Sequence, residues 1–260
     1  MDDRINTVII ETAFPEWTLE IHEQLPSTNQ YMMQNAATIK PPAIVVAEQQ
    51  TEGRGRDGNS WWSDRTSLTF SLMISPEEHG FNRLQQPLFS LITAALVRDS
   101  IITSGDIDSN RVQLKWPNDI YLDGKKVCGI LLEQPGTPND VIVIGIGLNV
   151  NNSFFYASDE IREKAISIRD ASTEDLRLTT VLFSIMANFK DFFEDEQRRE
   201  EYFPLAWEEH HLLDQKMVTI DQSGKKITGR CEGIDESGAL LLRDMYGLHQ
   251  IHSAVILSWE

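Results

Sequence analysis

The sequence predicts an α+β domain followed by a small all-β domain, and three observations carry that reading. Strand-like segments between residues 43 and 146 follow one another through hairpin turns or flank helices without strict βαβ alternation, which argues against a doubly wound sheet. One stripe, Leu178, Val181, Leu182, Ile185, Met186, Phe189 and Phe193, recurs at helical spacing as a core-facing amphipathic helix over 178–193. Past His211 the pattern changes to short strands separated by turns at Gln222-Ser223-Gly224, Asp235-Glu236-Ser237-Gly238 and Tyr246-Gly247, as in a small barrel. The boundary falls near 212, giving domains over 1–212 and 213–260.

The remaining elements follow in order. Residues 29–36 read as a helix after Pro26-Ser27-Thr28, with Ser27 or Thr28 as its N-cap. Ala43–Glu48 is a β-branched strand after Pro41-Pro42, and 49–64 is a long polar, glycine-rich loop holding two tryptophans. Ser67–Ile74 alternates as a strand, and Leu84, Leu88, Leu91 and Ala95 mark a helix from Leu84 to Val97. Strands near 111–115, 119–122 and 127–133 are joined by turns at Pro117-Asn118 and Asp123-Gly124, and a further strand covers 140–146.

Composition narrows the function classes. The 260 residues suffice for one large and one small domain, and 41% apolar with 24% charged residues is ordinary globular material. No run approaches 18 apolar residues, so no transmembrane helix is expected. The N-terminus MDDRINTVII lacks the apolar core of an export signal, and a cytoplasmic protein is expected. Cys128 and Cys231 have neither metal nor redox spacing and read as reduced, buried thiols. A formal charge of −17, from 23 basic against 40 acidic residues, argues against broad nucleic-acid binding. Acids clustered at 159–163, 170–175 and 191–201 read as solvated faces or loops. A small anionic ligand therefore needs a locally basic pocket, which makes the few clustered bases informative.

Four stretches carry chemistry. Gly53-Arg54-Gly55-Arg56-Asp57-Gly58 fits the spacing of the dinucleotide fingerprint, but the preceding strand stops four residues early and no helix opens from it. The better reading is a mobile loop whose glycines allow close approach and whose arginines, without an anion until phosphate arrives, offer forked donors to it. Lys115-Trp116-Pro117-Asn118-Asp119 and Lys125-Lys126-Val127-Cys128-Gly129-Ile130-Leu131-Leu132-Glu133 form a hairpin that sets Asp119 and Lys126, seven residues apart, on neighbouring strands. Such a pair suits phosphoryl and acyl transfer, the lysine stabilising charge and the carboxylate orienting an amine. As a bare pair it is equally an ordinary cross-strand contact, with Lys125 pointing to the other face. Gly145-Ile146-Gly147-Leu148-Asn149 ends a strand where a ligand or another backbone comes close. Ser27-Thr28-Asn29 opens a helix whose free N–H groups can also meet a polar ligand.

Together and in this order, these motifs resemble the biotin protein ligase family, densely over 25–150 and onward to the C-terminus. The resemblance implies a mixed β-sheet flanked by helices, of the class II synthetase and biotin-lipoyl ligase type, followed by an SH3-like barrel. It implies that biotin and ATP, with Mg2+, are joined to biotinyl-5′-AMP, and that biotin passes to a lysine of the biotin carboxyl carrier protein of acetyl-CoA carboxylase. Ser27, Thr28 and Asn29 are then implied to line the biotin pocket, with Thr28 and Gln50 at the ureido ring and Gly129 and Gly147 leaving room for the bicycle. Arg54, Gly55 and Arg56 belong to a loop folding over the activated biotin, and Lys126 lies against the biotin carboxylate and α-phosphate. Trp61 and Asn149 match adenine-facing positions, Asn118 a phosphate or magnesium position, and Asp119 the aspartate near the acceptor lysine.

Two departures stand out. Asp57 replaces a neutral or basic residue before the last loop glycine, and only 26 residues precede Ser27, too few for the winged helix of DNA-binding members. Repressor activity is therefore not expected. Two other classes stay open: a lipoate or octanoate ligase, whose different glycine-rich signature is not visible here, and a non-catalytic biotin- or carrier-binding module. Monomer and homodimer are equally compatible with the sequence, and no metal ligand is assignable from it.

Overall fold

The computed structural model describes residues 4–82, 85, 87–136, 141–172 and 174–260, apart from the side chains of 198, 200, 201 and 203. Helix α1 (Thr7–Ala13) leads into β1 (Thr18–His22), α2 (Thr28–Asn35), β2 (Ala43–Ala47) and β3 (Leu68–Ile74). After α3 (Leu88–Gly105) come β4 (Val112–Lys115), β5 (Asp119–Leu122), β6 (Lys125–Glu133) and β7 (Ile142–Leu148). These strands form one sheet in the order β1-β2-β3-β7-β6-β5-β4, parallel between β1 and β2 and antiparallel elsewhere. The sheet is thus mixed, as the resemblance implied.

Strand periodicity divides the core. In β2, Ile44 and Val46 join the main core while Ala43, Val45 and Ala47 join a second cluster with Met32 of α2. All five residues are buried, which is why this strand reads as a continuous apolar run. Helix α2 closes the second side, capped by Ser27, whose hydroxyl accepts from the Gln30 amide at 3.4 Å. On the main side lie α3 and α6 (Leu178–Glu194), preceded by the short helices α4 (Asp159–Lys164) and α5 (Ile168–Ala171). The expected stripe of α6 is buried except Phe193, which is partly exposed.

Helix α3 runs past its expected end at Val97 to Gly105, while Leu84, its expected start, lies outside the described residues. The charged Arg98 hid the extension. Its guanidinium is 4% exposed and donates to the carbonyls of Val112 and Ser109, each at 2.8 Å, so the helix continues through the core. By length and hydropathy α3 would suffice to cross a membrane, but 72% of it is buried inside the protein. Residue 140, the expected start of β7, also lies outside the described residues. The sequence reading passed over α1, β1 and α7 (Glu196–His210), the last being charge-rich with Pro204 inside it.

Five antiparallel strands follow: β8 (Met217–Gln222), β9 (Lys225–Ile234), β10 (Leu240–Asp244), β11 (Gly247–Ile251) and β12 (Val255–Trp259). Their order is β11-β10-β9-β8-β12. Val218, Ile220, Leu240 and Leu242 belong to the same core as α3 and the main sheet. Trp116 pins the joint: it is 1% exposed and its indole donates to the Gly238 carbonyl at 3.0 Å. The Leu212 amide donates to the Leu114 carbonyl at 2.8 Å beside it. Trp116→Ala should therefore destabilise the whole chain by about 3–5 kcal/mol, the usual cost of truncating a buried tryptophan. Urea unfolding followed by circular dichroism checks this, and it should show one transition spanning both sheets because the core is shared.

Candidate active site

Register decides which side chains meet. Cross-strand partners share a face of a sheet, and here Lys115 pairs with Asp119, Asp119 with Gly129, and Gly129 with Gly147. Tyr121 lies on the Asp119 face, two residues along, and its partner is Lys126. In a regular β6, Lys126 and Gly129 would point to opposite faces. A bulge between β5 and β6, with Val127 as the extra residue, brings both to one face. The other face carries Leu114, Ile120, Cys128, Ile130 and Leu148, all buried in the core.

The bulge is clamped from outside the strand. The Asn149 amide donates to the Val127 carbonyl at 2.9 Å, and the Ile166 amide donates to the Lys126 carbonyl at 3.1 Å. Asn149 itself is 3% exposed, and its side chain donates to the Lys126 carbonyl at 3.5 Å and accepts from Asn152 at 3.1 Å. It thus lies behind the strand, and it is the one residue of the expected site that does not line the cleft. The adenine-facing position implied for it by the resemblance is thus held by an amide with protein partners at both ends.

The other expected residues surround one cleft of about 260 Å³. At its closed end, the Thr28 amide and hydroxyl both donate to Gln50 Oε1, at 2.8 and 3.2 Å. The Ser71 hydroxyl donates to Asn29 Oδ1 at 2.5 Å and lies 2.7 Å from the Thr28 hydroxyl. Asn29 in turn donates to the Leu131 carbonyl and to Glu133. The floor is bare backbone. A Cβ on Gly147 would stand 2.3 Å from Trp61 Cε2, and one on Gly129 would stand 3.1 Å from both Trp61 Cζ3 and Lys126 Cε. The Trp61 indole therefore rests on the strip that the resemblance gives to the biotin bicycle, where it buries apolar surface against the backbone. Its Nε1 is buried without a partner.

The charges gather at the open side. Lys126 Nζ stands 2.5 Å from Asp119 Oδ1, so the hairpin pair expected from the sequence is a close contact. Lys125 is exposed. Asn118 is tied back to β6, its amide donating to the Ile130 carbonyl at 2.5 Å. The loop between β2 and β3 contains only a short 3-10 turn over Arg56–Gly58 and no helix, which removes the dinucleotide-fold reading. Asp57 takes φ 55° there, a left-handed conformation that aspartate tolerates better than most side chains. One expectation fails: Arg54 already meets an anion, its Nη2 lying 2.9 Å from Glu133 Oε2. Arg56 donates to Ser253 of the second domain at 3.3 Å.

The sequence reading missed Glu133, although it stands inside a quoted motif, and Ser71. It also missed Ala254, Val255 and Ile256, with which the second domain walls the cleft. Both cysteines are free and buried as expected, and burial raises the thiol pKa of each, leaving neither as a nucleophile. Among the described residues no group of three or more His, Cys, Asp or Glu is placed to hold a metal.

A cleft with an apolar floor, a polar closed end and a mouth of lysines and arginines around one aspartate suits an enzyme that joins a carboxylic acid to a nucleotide phosphate. Comparison with known proteins narrows that class. The model of the biotin/lipoate A/B protein ligase family matches residues 21–151, and that of the biotin protein ligase C-terminal domain matches 216–257, ending two residues before Trp259. The chain belongs to the biotin protein ligase family. It is 31% identical to the bifunctional ligase/repressor BirA of Bacillus subtilis over 90% of this chain and 72% of that one. It is 27% identical to the biotin–[acetyl-CoA-carboxylase] ligase of Paracoccus denitrificans, covering 88% and 96%. The biotin protein ligase of Aquifex aeolicus, solved in complex with biotin and ATP, superposes with a TM-score of 0.76 at 27% identity, over 94% of this chain and 98% of that one.

Gly147→Ala should displace Trp61, because a methyl group cannot share the space of Cε2. The expected outcome is a change in tryptophan fluorescence and at least a tenfold weaker biotin affinity by calorimetry, with the fold retained. Unchanged emission and affinity would refute this account of the floor.

Proposed function

We propose that this protein activates biotin with ATP to biotinyl-5′-AMP and transfers the biotinyl group to a lysine of a biotin carboxyl carrier protein. The observation that carries the reading is the Lys126–Asp119 pair, turned by a bulge onto the face that also holds the glycine floor. In the first step a biotin carboxylate oxygen attacks the α-phosphorus and pyrophosphate leaves. Two anions must approach, and Lys126, Arg54 and Arg56 supply positive charge within a protein of net charge −17. In the second step the acceptor amine attacks the mixed anhydride and AMP leaves, with Asp119 placed to orient that amine.

Thr28, Asn29 and Gln50 form the hydrogen-bonding end suited to a ureido ring, and Ser27 fixes the helix that presents them. Trp61 and Gly55 belong to the wall and loop that exclude water from the anhydride. Arg54 must exchange Glu133 for the ligand as the loop settles, so its free energy of closure is a difference between two ion pairs. Among the described residues no cluster of metal ligands is present, so magnesium would come with the nucleotide phosphates, and Asn118 on the cleft wall could offer it an oxygen. We place the enzyme in the cytoplasm, consistent with its two free buried thiols.

Biotin-dependent exchange of pyrophosphate into ATP tests the reading directly. Biotin should drive exchange while lipoate and octanoate do not; the converse would assign the chain to the lipoate branch, and no exchange with any acid would leave a binding module. In the same assay Lys126→Ala should slow adenylation by roughly a hundredfold, the scale for removing one preorganised charge. Lys125→Ala should cost far less, since that side chain is exposed away from the cleft.

A further inference from the structure

Lys115 lies on the same face as Asp119 and Lys126, yet the motifs attach no role to it. Its ammonium is 3.9 Å from Asp119 Oδ2, while Lys126 holds Oδ1. The aspartate therefore stands between two lysines, one on each oxygen. Lys115 is 8% exposed, and its ammonium lies over the Trp259 ring at 4.8 Å and the Tyr121 ring at 5.5 Å. Those two rings meet edge to face at 6.1 Å. Trp259 belongs to β12, so one of the two faces comes from the second domain.

Lys126 must divide its ammonium between Asp119, which it holds at contact distance, and an incoming phosphate. The more it serves the phosphate, the less of its charge remains to balance the largely buried Asp119 carboxylate, a costly arrangement. A second lysine on the other oxygen removes that conflict. We infer that Lys115 is the positioning residue that balances and orients Asp119 while Lys126 serves the substrate, and that Trp259 holds Lys115 in place. This rests on the ligase reading above. The second domain is then part of the active centre through a ring of its last strand.

Charge on Lys115 is opposed and supported by identifiable groups. Burial lowers its pKa first, Asp119 raises it, and Lys126 and Arg56 lower it further. Tyr121, the remaining titratable neighbour, has its own pKa raised by burial and by Asp119, so it stays neutral. A cation over a ring favours the charged form, so replacing Trp259 by leucine, which keeps apolar cover but removes that attraction, should lower the Lys115 pKa and bring its deprotonation to lower pH.

The two half-reactions are measured separately: biotin-dependent pyrophosphate exchange, and single-turnover transfer from preformed adenylate to a carrier domain. Trp259→Leu should slow transfer about tenfold, a typical scale for a partly desolvated cation–π contact. It should leave the KM for biotin within about twofold and shift the alkaline limb of the transfer profile to lower pH. Trp259→Phe should restore most of the rate and the limb. A folded Trp259→Leu with the wild-type rate and limb overturns the inference, as does a Phe variant as impaired as the Leu one. Should Trp259→Leu fail to fold, Lys115→Arg against Lys115→Met decides: transfer retained by arginine and lost by methionine supports the role, and equal loss overturns it. Absence of exchange in the wild type would overturn the ligase reading itself, and this inference with it.

Discussion

Asp119 and Lys126 must lie on one face and within reach of each other, in a chain whose carboxylates outnumber its cations, and much of the surrounding structure follows from that requirement. Asp119 is mostly buried, with 13% of its side chain exposed. Burying an ion pair costs solvation that only close geometry and further partners recover. The sheet supplies the geometry, since cross-strand pairing fixes Asp119 opposite Gly129 and Lys126 opposite Tyr121. Without the extra residue Val127 the lysine would face the core, where it would meet Ile120 and Leu148. That alternative costs so much that the bulge is effectively compulsory.

A bulge frees backbone groups, and these have to be satisfied elsewhere. Asn149 and Ile166 do so, one at the end of β7 and the other just after α4. The motif asparagine that ends Gly145-Ile146-Gly147-Leu148-Asn149 thus has a structural task that its position in the sequence does not announce. The glycines of the same strand do the opposite work, leaving backbone bare so that the face with the charges has an apolar floor beside it. One central strand, with the residue that follows it, therefore sets both the lysine's direction and the shape of the space it faces.

How much of this was legible depends on how far apart the partners stand. The α6 stripe, the β2 and β3 strands and the change of pattern past His211 are local, and all were read correctly. The motifs of the candidate site are short and contiguous, so Lys126, Asp119 and the loop arginines stood out in the sequence, but it was their resemblance to a family, not residue type alone, that set them together. The bulge was not, because register belongs to two strands and neither β5 nor β6 shows it by itself. Glu133 was overlooked because an acid at the end of an apolar strand looks solvated; only folding brings Arg54, 79 positions away, onto it. Helix α7 was missed because its charges and Pro204 mask a stripe that includes the deeply buried Trp207, whose indole donates to the Leu91 carbonyl.

The second domain was legible as a fold but not as a wall of the site, and the reason is electrostatic as well as geometric. A protein with this net charge repels phosphate at long range, so the cleft must create its own positive field at short range. Of the four cations at the cleft, Arg54 is already paired with Glu133, so the field depends on the others being held without further carboxylates. Arg56 is held by the neutral Ser253 hydroxyl, and Lys115 by the ring of Trp259. Both partners come from the second domain, and neither is an acid, so each holds a cation in place without neutralising it. A carboxylate in either position would hold the cation more firmly and cancel the charge that the substrate needs.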